Sequence, residues 1–520
     1  MVGLVGFEGK TKGAQRNMTT FHLKRWQIAA YSAPSIPNSA LGLPVAVYLP
    51  AFYAEQAGLA VAAVGTIFML ARFWDVFTDP FMGILSDRFP TRWGRRRHWI
   101  VLSVPIMMLA AWQLFIPPEG VGVTHLLIWM FVLYVGYTLL TISHISWGAE
   151  LTPDYHERSR VQGWREFALV LGMFTVLALP ALIEITSSVP ADPPPVAIEE
   201  IAPADAGTAL SEIRVEDDGH RAVGRDRVAA MGWFVIILLP LTVAFAVTLV
   251  GERPVKEQKN IDWHGLWTVI SKNKSVRRLL LVDIIAGFGP SVSGALYIWF
   301  IAYYVGYGDW ASRILLLYFV AAFIAVPFWI QISYKIGKHK ALTIAFVYSC
   351  VILATYLISP NAPLWVVLLL NMAYGFAYGA GPFLLRSMMA DVRDYDLLET
   401  GQERTGLYFS LLTMTSKIGA ALAVGLALTV LGIVGFDPSL GEQNSERAVM
   451  TIGYMFVFLP MVVYAAGAWL IWNFPLDQAE QEKLRAQIDE RHRNEGDHGA
   501  IDTLTGYSPP RGEIEDQPAE

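Results

Sequence analysis

The stretch from Arg72 to Arg97, RFWDVFTDPFMGILSDRFPTRWGRRR, places charged residues inside one of the most apolar regions of the chain. Arg72, Asp75 and Asp79 stand at positions i, i+3 and i+7, so they share one face of a helix. Because an ionisable side chain at the centre of a bilayer costs about 2.5 to 3.5 kcal/mol, this face must point into the protein. Two carboxylates beside one guanidinium predict a site for a cation or a proton. The alternative is a structural salt bridge in which Arg72 neutralises one aspartate.

The composition of the chain is that of a membrane protein. Of its 520 residues, 54% are hydrophobic and 16% are charged, and the mean hydropathy is +0.42, whereas soluble domains are about one quarter charged. The net charge of −6 is spread over loops and tails without a basic block, which excludes nucleic acid as a partner. Cys350 is the single cysteine, which excludes an intrachain disulfide or a cysteine-rich metal site.

Apolar segments of roughly 20 residues, long enough to cross a bilayer, recur along the chain. The predicted spans are 27–53, 60–86, 98–117, 123–150, 163–185, 229–250, 277–303, 309–334, 341–359, 363–390, 404–434 and 449–474. The loop at 87–98 holds five arginines and the next loop holds none, so the positive-inside rule places this loop and both termini in the cytoplasm. The segment before Arg25 lacks the apolar core of a signal peptide, and we expect the first span to be retained.

The twelve spans divide into two similar halves. We predict an N-terminal six-helix lobe (1–250) with an external acidic loop (186–228), an amphipathic cytoplasmic linker (251–276), a C-terminal lobe (277–474) and a mostly disordered cytoplasmic tail (475–520). Pro80 and Pro327 precede basic turns that contain Gly94 and Gly337, as expected for a repeated unit. Two six-helix lobes are typical of transporters that bind their solute between the lobes.

Two segments carry the features of a known family. ARFWDVFTDPFMGILSDR followed by GRRRHW, and SMMADVRDYDLLETGQERTGLYFSLLTMTSKIGAA in the second half, resemble the glycoside, pentoside and hexuronide cation symporters, the melibiose-permease branch of the major facilitator superfamily. The resemblance implies an all-α integral membrane protein with the twelve-helix major facilitator fold. It also implies uptake of a solute coupled to Na⁺ or H⁺, with no cofactor beyond the coupling ion.

The resemblance implies roles for individual residues. Asp75 and Asp79 match the family's cation-binding carboxylates, and Thr138 matches a threonine that assists them. Thr141 stands where the family has a further aspartate that touches both cation and sugar.

The implied solute site departs from the family pattern. Asn38 and Ser39 replace a lysine and an aspartate that contact sugar. The remaining substrate-binding candidates are Trp164, which could stack on a sugar ring, Arg165, which matches a sugar-binding arginine, Glu166, which places a carboxylate nearby, and Lys417.

Two further sets of polar residues each have two interpretations. Asp87, Arg88, Arg95 and Arg96 resemble the superfamily's cytoplasmic gating motif, a charge cluster that joins helix ends when the inner gate closes; the alternative is an orientation signal alone. His144 is an intramembrane histidine, either a satisfied hydrogen-bond partner or a proton relay.

These patterns together predict a multi-pass symporter in a bacterial inner membrane, in contact with its lipids, that imports a sugar or glycoside-like solute with Na⁺ or H⁺. Because the family's sugar carboxylates are replaced, a carrier of lysophospholipid or another amphipathic solute is the alternative. The sequence contains no nucleophile motif and no metal-ligand set, which argues against an enzyme.

Overall fold

A computed structural model describes residues 23–187, 224–252, 273–400 and 405–475, apart from 90, 92, 153, 154 and 361, together with 483 and 487. Within them the chain forms the α-helices α1 (Arg25–Ser32), α2 (Ser35–Glu55), α3 (Val61–Arg88), α4 (Arg97–Phe115), α5 (Val123–Glu150), α6 (Tyr155–Ser187), α7 (Arg225–Leu249), α8 (Lys274–Trp299), α9 (Ala311–Ile336), α10 (Lys338–Thr355), α11 (Leu364–Tyr378), α12 (Gly381–Thr400), α13 (Thr405–Ile433) and α14 (Glu446–Trp472). A π-helical turn (Phe300–Val305) prolongs α8, and short 3₁₀ helices lie at Gly308–Trp310, Tyr356–Ile358 and Pro438–Gln443.

Every predicted span coincides with one helix or with a pair of consecutive helices. Eleven helical segments of the described chain are long and apolar enough to cross a membrane. The first crossing, α1 and α2, is more polar and is interrupted at Ala33 and Pro34, since proline cannot donate the helical hydrogen bond. The tenth crossing is likewise divided into α11 and α12. The predicted all-α architecture with many membrane crossings is therefore confirmed in the described residues.

Helices α3 and α13, one from each lobe, pack antiparallel along a seam of small residues. A Cβ on Gly65 would lie 2.5 Å from Leu428 Cβ, and one on Gly432 would lie 2.8 Å from Ala62 Cβ. Small residues let helix backbones approach closely in a membrane, where dispersion contacts drive helix association. The seam thereby holds polar side chains farther along α3 opposite those of α13.

The two ends of the bundle differ in what joins the helices. At one end, Trp299 Nε1 of α8 donates a 2.8 Å hydrogen bond to Glu55 Oε1 of α2, so this contact links the lobes. We call this the Glu55 end. The opposite end, which contains Arg96 and Lys338, we call the Arg96 end. Helix α3 runs from the Glu55 end to the Arg96 end.

The predicted repeat is visible at the Arg96 end. Arg96 forms a 3.0 Å ion pair with Glu150 at the end of α5, and Lys338 forms a 2.7 Å pair with Asp391 on α12 in the other lobe. The preceding glycines both have positive φ, +119° at Gly94 and +91° at Gly337, which favours glycine there. The two lobes thus use equivalent turns and equivalent charge pairs.

Three predicted regions lie wholly or mostly outside the described residues. They are the linker at 251–276, the acidic loop at 186–228 and the tail at 475–520. The lobe boundaries and the placement of the termini on one side of the membrane remain predictions.

Candidate functional site

The centre of the α3–α13 seam is an ion cluster in which both lobes take part. Lys417 Nζ of α13 lies 2.8 Å from Asp75 Oδ2 and 2.5 Å from Asp79 Oδ2 of α3. The Asp75 side chain is completely buried, whereas those of Asp79 and Lys417 are each 21% exposed. One ammonium group therefore lies between two carboxylates, and Asp79 is the more accessible carboxylate.

Hydroxyl groups complete the surroundings of Asp75. Thr138 Oγ1 on α5 donates a 2.8 Å hydrogen bond to Asp75 Oδ1 and lies 3.4 Å from Thr78 Oγ1. Carboxylate and hydroxyl oxygens are the ligands preferred by hard cations. The helical spacing of Asp75 and Asp79 places their carboxylates together, as the sequence indicated, and Thr138, which the family resemblance assigned to this site, contacts Asp75 from a neighbouring helix. The structure adds Thr78.

The alternative interpretation of this helix face was a salt bridge between Arg72 and one of the two aspartates. The described contacts of Arg72 are different. Its guanidinium carbon lies 5.3 Å from the centre of the Tyr134 ring, a cation–π arrangement. In the described part of the chain, the ion pairs of Asp75 and Asp79 are made by Lys417. Lys417, which we placed among the solute-binding candidates, thus contacts the cation-binding candidates Asp75 and Asp79, and its role in solute binding stays a prediction.

The residues that replace the family's sugar contacts bond to one another or to the backbone. Asn38 Nδ2 donates a 3.2 Å hydrogen bond to Thr141 Oγ1, so a neutral pair occupies the positions of charged family residues. Ser39 Oγ donates to Leu169 O of α6 at 2.6 Å, and a Cβ on Gly172 would collide with it. Ser39 therefore packs α2 against α6, and Thr141 lies beside Asn38.

The α6 candidates Arg165 and Glu166 pair with each other. Arg165 pairs at 2.6 Å with Glu166, which is 52% exposed, and donates a 3.0 Å hydrogen bond to Gln162 Oε1. The Trp164 side chain is exposed. The structure places these three candidates on α6, and their roles stay predictions.

His144 is held in a reciprocal contact with Tyr31. The two rings stack at 4.4 Å, His144 Nε2 lies 2.6 Å from Tyr31 O, and the Tyr31 hydroxyl donates to His144 O at 2.9 Å. This geometry favours the satisfied hydrogen-bond partner over the proton relay.

The described gating candidates bind within the N-terminal lobe. Arg96 is buried, pairs with Glu150 and donates a 2.6 Å hydrogen bond to Ser86 Oγ. The backbone N–H groups of Arg95 and Arg96 each donate at 2.7 Å to Glu252, whose carboxylate caps the start of α4. The side chains of Asp87 and Arg88 lie outside the described residues.

The sequence interpretation missed Glu150 and Glu252. Both are acidic residues at the ends of predicted spans, facing the arginine-rich turn, and that position was a signal for pairing.

A cavity of about 180 Å³ lies between the lobes, nearer to the Glu55 end than the ion cluster. It is bounded by Leu43, Ala46, Val47, Phe68, Arg72, Pro290, Ser291, Ser293, Gly294, Tyr297, Leu315, Tyr318, Phe319, Asn371, Tyr374, Tyr378, Ala420, Val424 and Phe456. Arg72, which shares a helix face with Asp75 and Asp79, lines it, whereas the residues predicted to bind the cation or the solute are not among these lining residues.

The sequence profile of the family described as MFS/sugar transport protein matches residues 30–478, most of the chain. The chain belongs to this family. It is a secondary transporter with several membrane spans, and not an enzyme.

Relatives of the transporter have different named solutes. It is 25% identical to the isoprimeverose transporter of Lactiplantibacillus pentosus, over 87% of this chain and 88% of the relative. It is 24% identical to the sodium-dependent lysophosphatidylcholine symporter 1-A of Danio rerio, over 92% and 91%. The nucleoside transporter NupG has a similar fold, with a TM-score of 0.58 at 12% identity over 86% of the transporter and 99% of NupG.

Proposed function

We propose that the transporter carries out symport of a sugar or glycoside-like solute, coupled to Na⁺ or H⁺ through Asp75 and Asp79. The observation that supports this most strongly is the position of Lys417, a C-lobe ammonium that lies between two N-lobe carboxylates. A charge cluster shared by both lobes responds to any ion that binds within it, and it lies at the seam that alternating access must rearrange.

In this mechanism the coupling ion competes with Lys417 for the carboxylates. Sodium, or a proton on a carboxylate oxygen, reduces the attraction between the carboxylates and the ammonium group and so weakens one link between the lobes. If solute binds preferentially to the rearranged state, the ion raises solute affinity and the solute raises ion affinity by the same factor. Thr138 supports Asp75 in either case, because a hydroxyl can also accept a hydrogen bond from a protonated carboxylate.

The named solutes of relatives support a glycoside, and a second candidate has its own support. Isoprimeverose is the named solute of one relative, and lysophosphatidylcholine is that of another at nearly equal identity. The neutral Asn38–Thr141 pair is compatible with an amphipathic solute such as a lysophospholipid. We further propose a bacterial inner membrane, with the Arg96 end and both termini in the cytoplasm.

Uptake into proteoliposomes tests the proposal. Labelled isoprimeverose, melibiose, a glucuronide and lysophosphatidylcholine are compared under an imposed Na⁺ gradient, an imposed pH gradient and no gradient. We expect concentrative uptake of a glycoside with one of the gradients, and its loss in Asp75→Asn. A matched control is Asp391→Asn, which alters a carboxylate paired with Lys338 at the Arg96 end. Gradient-driven uptake that persists in Asp75→Asn would contradict the coupling site, and lysolipid uptake alone would favour the second candidate.

A further inference from the structure

Seven of the nineteen residues that line the cavity between the lobes are aromatic. Tyr318 lies 5.0 Å from Phe319, 5.6 Å from Tyr374 and 5.8 Å from Tyr378, measured between ring centroids. Phe456 lies 6.4 Å from Tyr374 and extends this wall. These separations are those of offset and edge-to-face aromatic clusters, into which another ring can be added.

Several polar groups of this wall are hydrogen-bonded within the protein. The Tyr374 hydroxyl lies 2.9 Å from Ser293 Oγ, and the Tyr297 hydroxyl donates to Ala311 O at 3.1 Å. Asn371 Nδ2 donates to Val367 O at 3.1 Å. A sugar ring placed here would have to compete with these internal hydrogen bonds, and each buried hydroxyl left unpaired costs about 1 to 3 kcal/mol. An apolar ring carries no such cost.

The size of the cavity distinguishes a ring from a long chain. Its volume of about 180 Å³ is slightly larger than an engineered apolar cavity of about 150 Å³ that binds benzene. One six-membered ring fits this space, whereas the acyl chain of a lysophospholipid does not.

The cavity also lies on the expected path of the solute. Residues of both lobes line it, Phe68 from α3 and Phe319 from α9 among them. Arg72 borders it and shares a helix face with Asp75, three residues or about 4.5 Å farther along α3. A solute with its ring in the cavity could therefore direct its polar part along Arg72 toward the ion cluster.

We propose that this cavity binds an apolar ring carried by the transported solute, so that aryl glycosides are bound in preference to the corresponding simple glycosides. The inference rests on the proposed function and names the substrate class of its solute site. Free sugars and lysophospholipids are the poorer ligands.

The test compares methyl and phenyl β-glycosides of the same sugar, with glucose, xylose and glucuronic acid as the sugars. Binding to the purified full-length transporter is measured by isothermal titration calorimetry with and without Na⁺ and at two pH values. For at least one sugar, we expect the phenyl compound to bind about tenfold to a hundredfold more tightly than the methyl compound, as burial of a phenyl-sized apolar group predicts.

Two variants relate this preference to the cavity. Ala46→Phe adds a ring to the cavity wall, and Phe319→Ala removes one. Each variant should bind the phenyl compound less than threefold more tightly than the methyl compound, while its affinity for the methyl glycoside changes little. The matched control is Phe323→Ala, one turn farther along α9, where the side chain is 53% exposed. Melting temperatures identify a variant that fails to fold, and the other variant then carries the test.

The outcomes separate this inference from the proposed function. Three results would overturn the ring site. They are equal binding of the methyl and phenyl compounds, no binding of any phenyl compound at millimolar concentration, and an unchanged phenyl preference in a folded cavity variant. A cavity-dependent phenyl preference that is insensitive to both Na⁺ and pH would support the ring site and contradict the coupling proposal.

Discussion

Replacing Lys417 with glutamine should make cation binding much tighter. In the structure its ammonium lies 2.8 Å from Asp75 Oδ2 and 2.5 Å from Asp79 Oδ2. At an effective dielectric constant of about 20, one unit-charge pair at 2.8 Å is worth about 6 kcal/mol. Because the lysine is 21% exposed and both partners lose hydration, we take about 3 kcal/mol as the net cost that a cation meets in displacing it. That cost corresponds to roughly a hundredfold in cation affinity.

The assay is a titration of the purified transporter with Na⁺, followed by tryptophan fluorescence, and a parallel measurement of proton uptake with an indicator dye. Lys417→Gln should bind the coupling ion about a hundredfold more tightly than the wild type, and be less stable than it when that ion is scarce. Lys338→Gln is the matched control, because Lys338 forms a similar 2.7 Å pair with Asp391 away from the ion cluster.

The competition between lysine and cation would be refuted if a folded Lys417→Gln transporter bound both Na⁺ and the proton with affinities within threefold of the wild type. An equal increase in Lys338→Gln would show that the effect comes from overall charge and not from the site.

Three other predictions concern named contacts. Asp75→Asn and Asp79→Asn should each abolish gradient-driven uptake in proteoliposomes, and normal concentrative uptake in either variant would contradict the cation site. Asp75→Asn should lower the melting temperature more than Asp79→Asn does, because the Asp75 carboxylate is the buried one. Arg96→Gln should reduce the stability of the transporter by about 3 kcal/mol, because it breaks a buried ion pair, which thermal unfolding can measure; an unchanged melting temperature would refute this. Trp299→Phe removes a charge-assisted hydrogen bond between the lobes, worth about 1.5 to 3 kcal/mol, and should increase hydrogen–deuterium exchange at the Glu55 end; unaltered exchange there would show that the bond does not hold the lobes together.

Much of the fold could be predicted from local patterns. Spans are recognisable because each must be apolar over the thickness of a bilayer, and all twelve predicted spans coincide with helices. The interruption of the first crossing lies at Ala33 and Pro34, whereas α2 continues through Pro44 and Pro50, so its exact place could not be read from the prolines alone. The equivalence of the turns at Gly94 and Gly337 was also visible, and the structure confirms it in their positive φ angles.

The candidate site could be predicted only in part. The spacing of Asp75 and Asp79 already placed two carboxylates on one inward face. What the spacing could not supply was their counter-charge: Arg72, which is nearest in sequence, lies over Tyr134, whereas Lys417 is 338 residues distant from Asp79. Ser39 shows the same limit, since only the packing of α2 on α6 directs its hydroxyl to Leu169 O.

The sequence by itself determined that this chain crosses the membrane many times and that a pair of carboxylates faces its interior. Hydropathy and helical period suffice for this, because both act between residues that are close along the chain. The tertiary structure alone decided that Lys417 joins Asp75 and Asp79, that Glu252 caps α4, and that aromatic rings from both lobes enclose a cavity. These contacts depend on how helices from distant segments pack, and the relative position of two packed helices is not encoded in the local pattern of either.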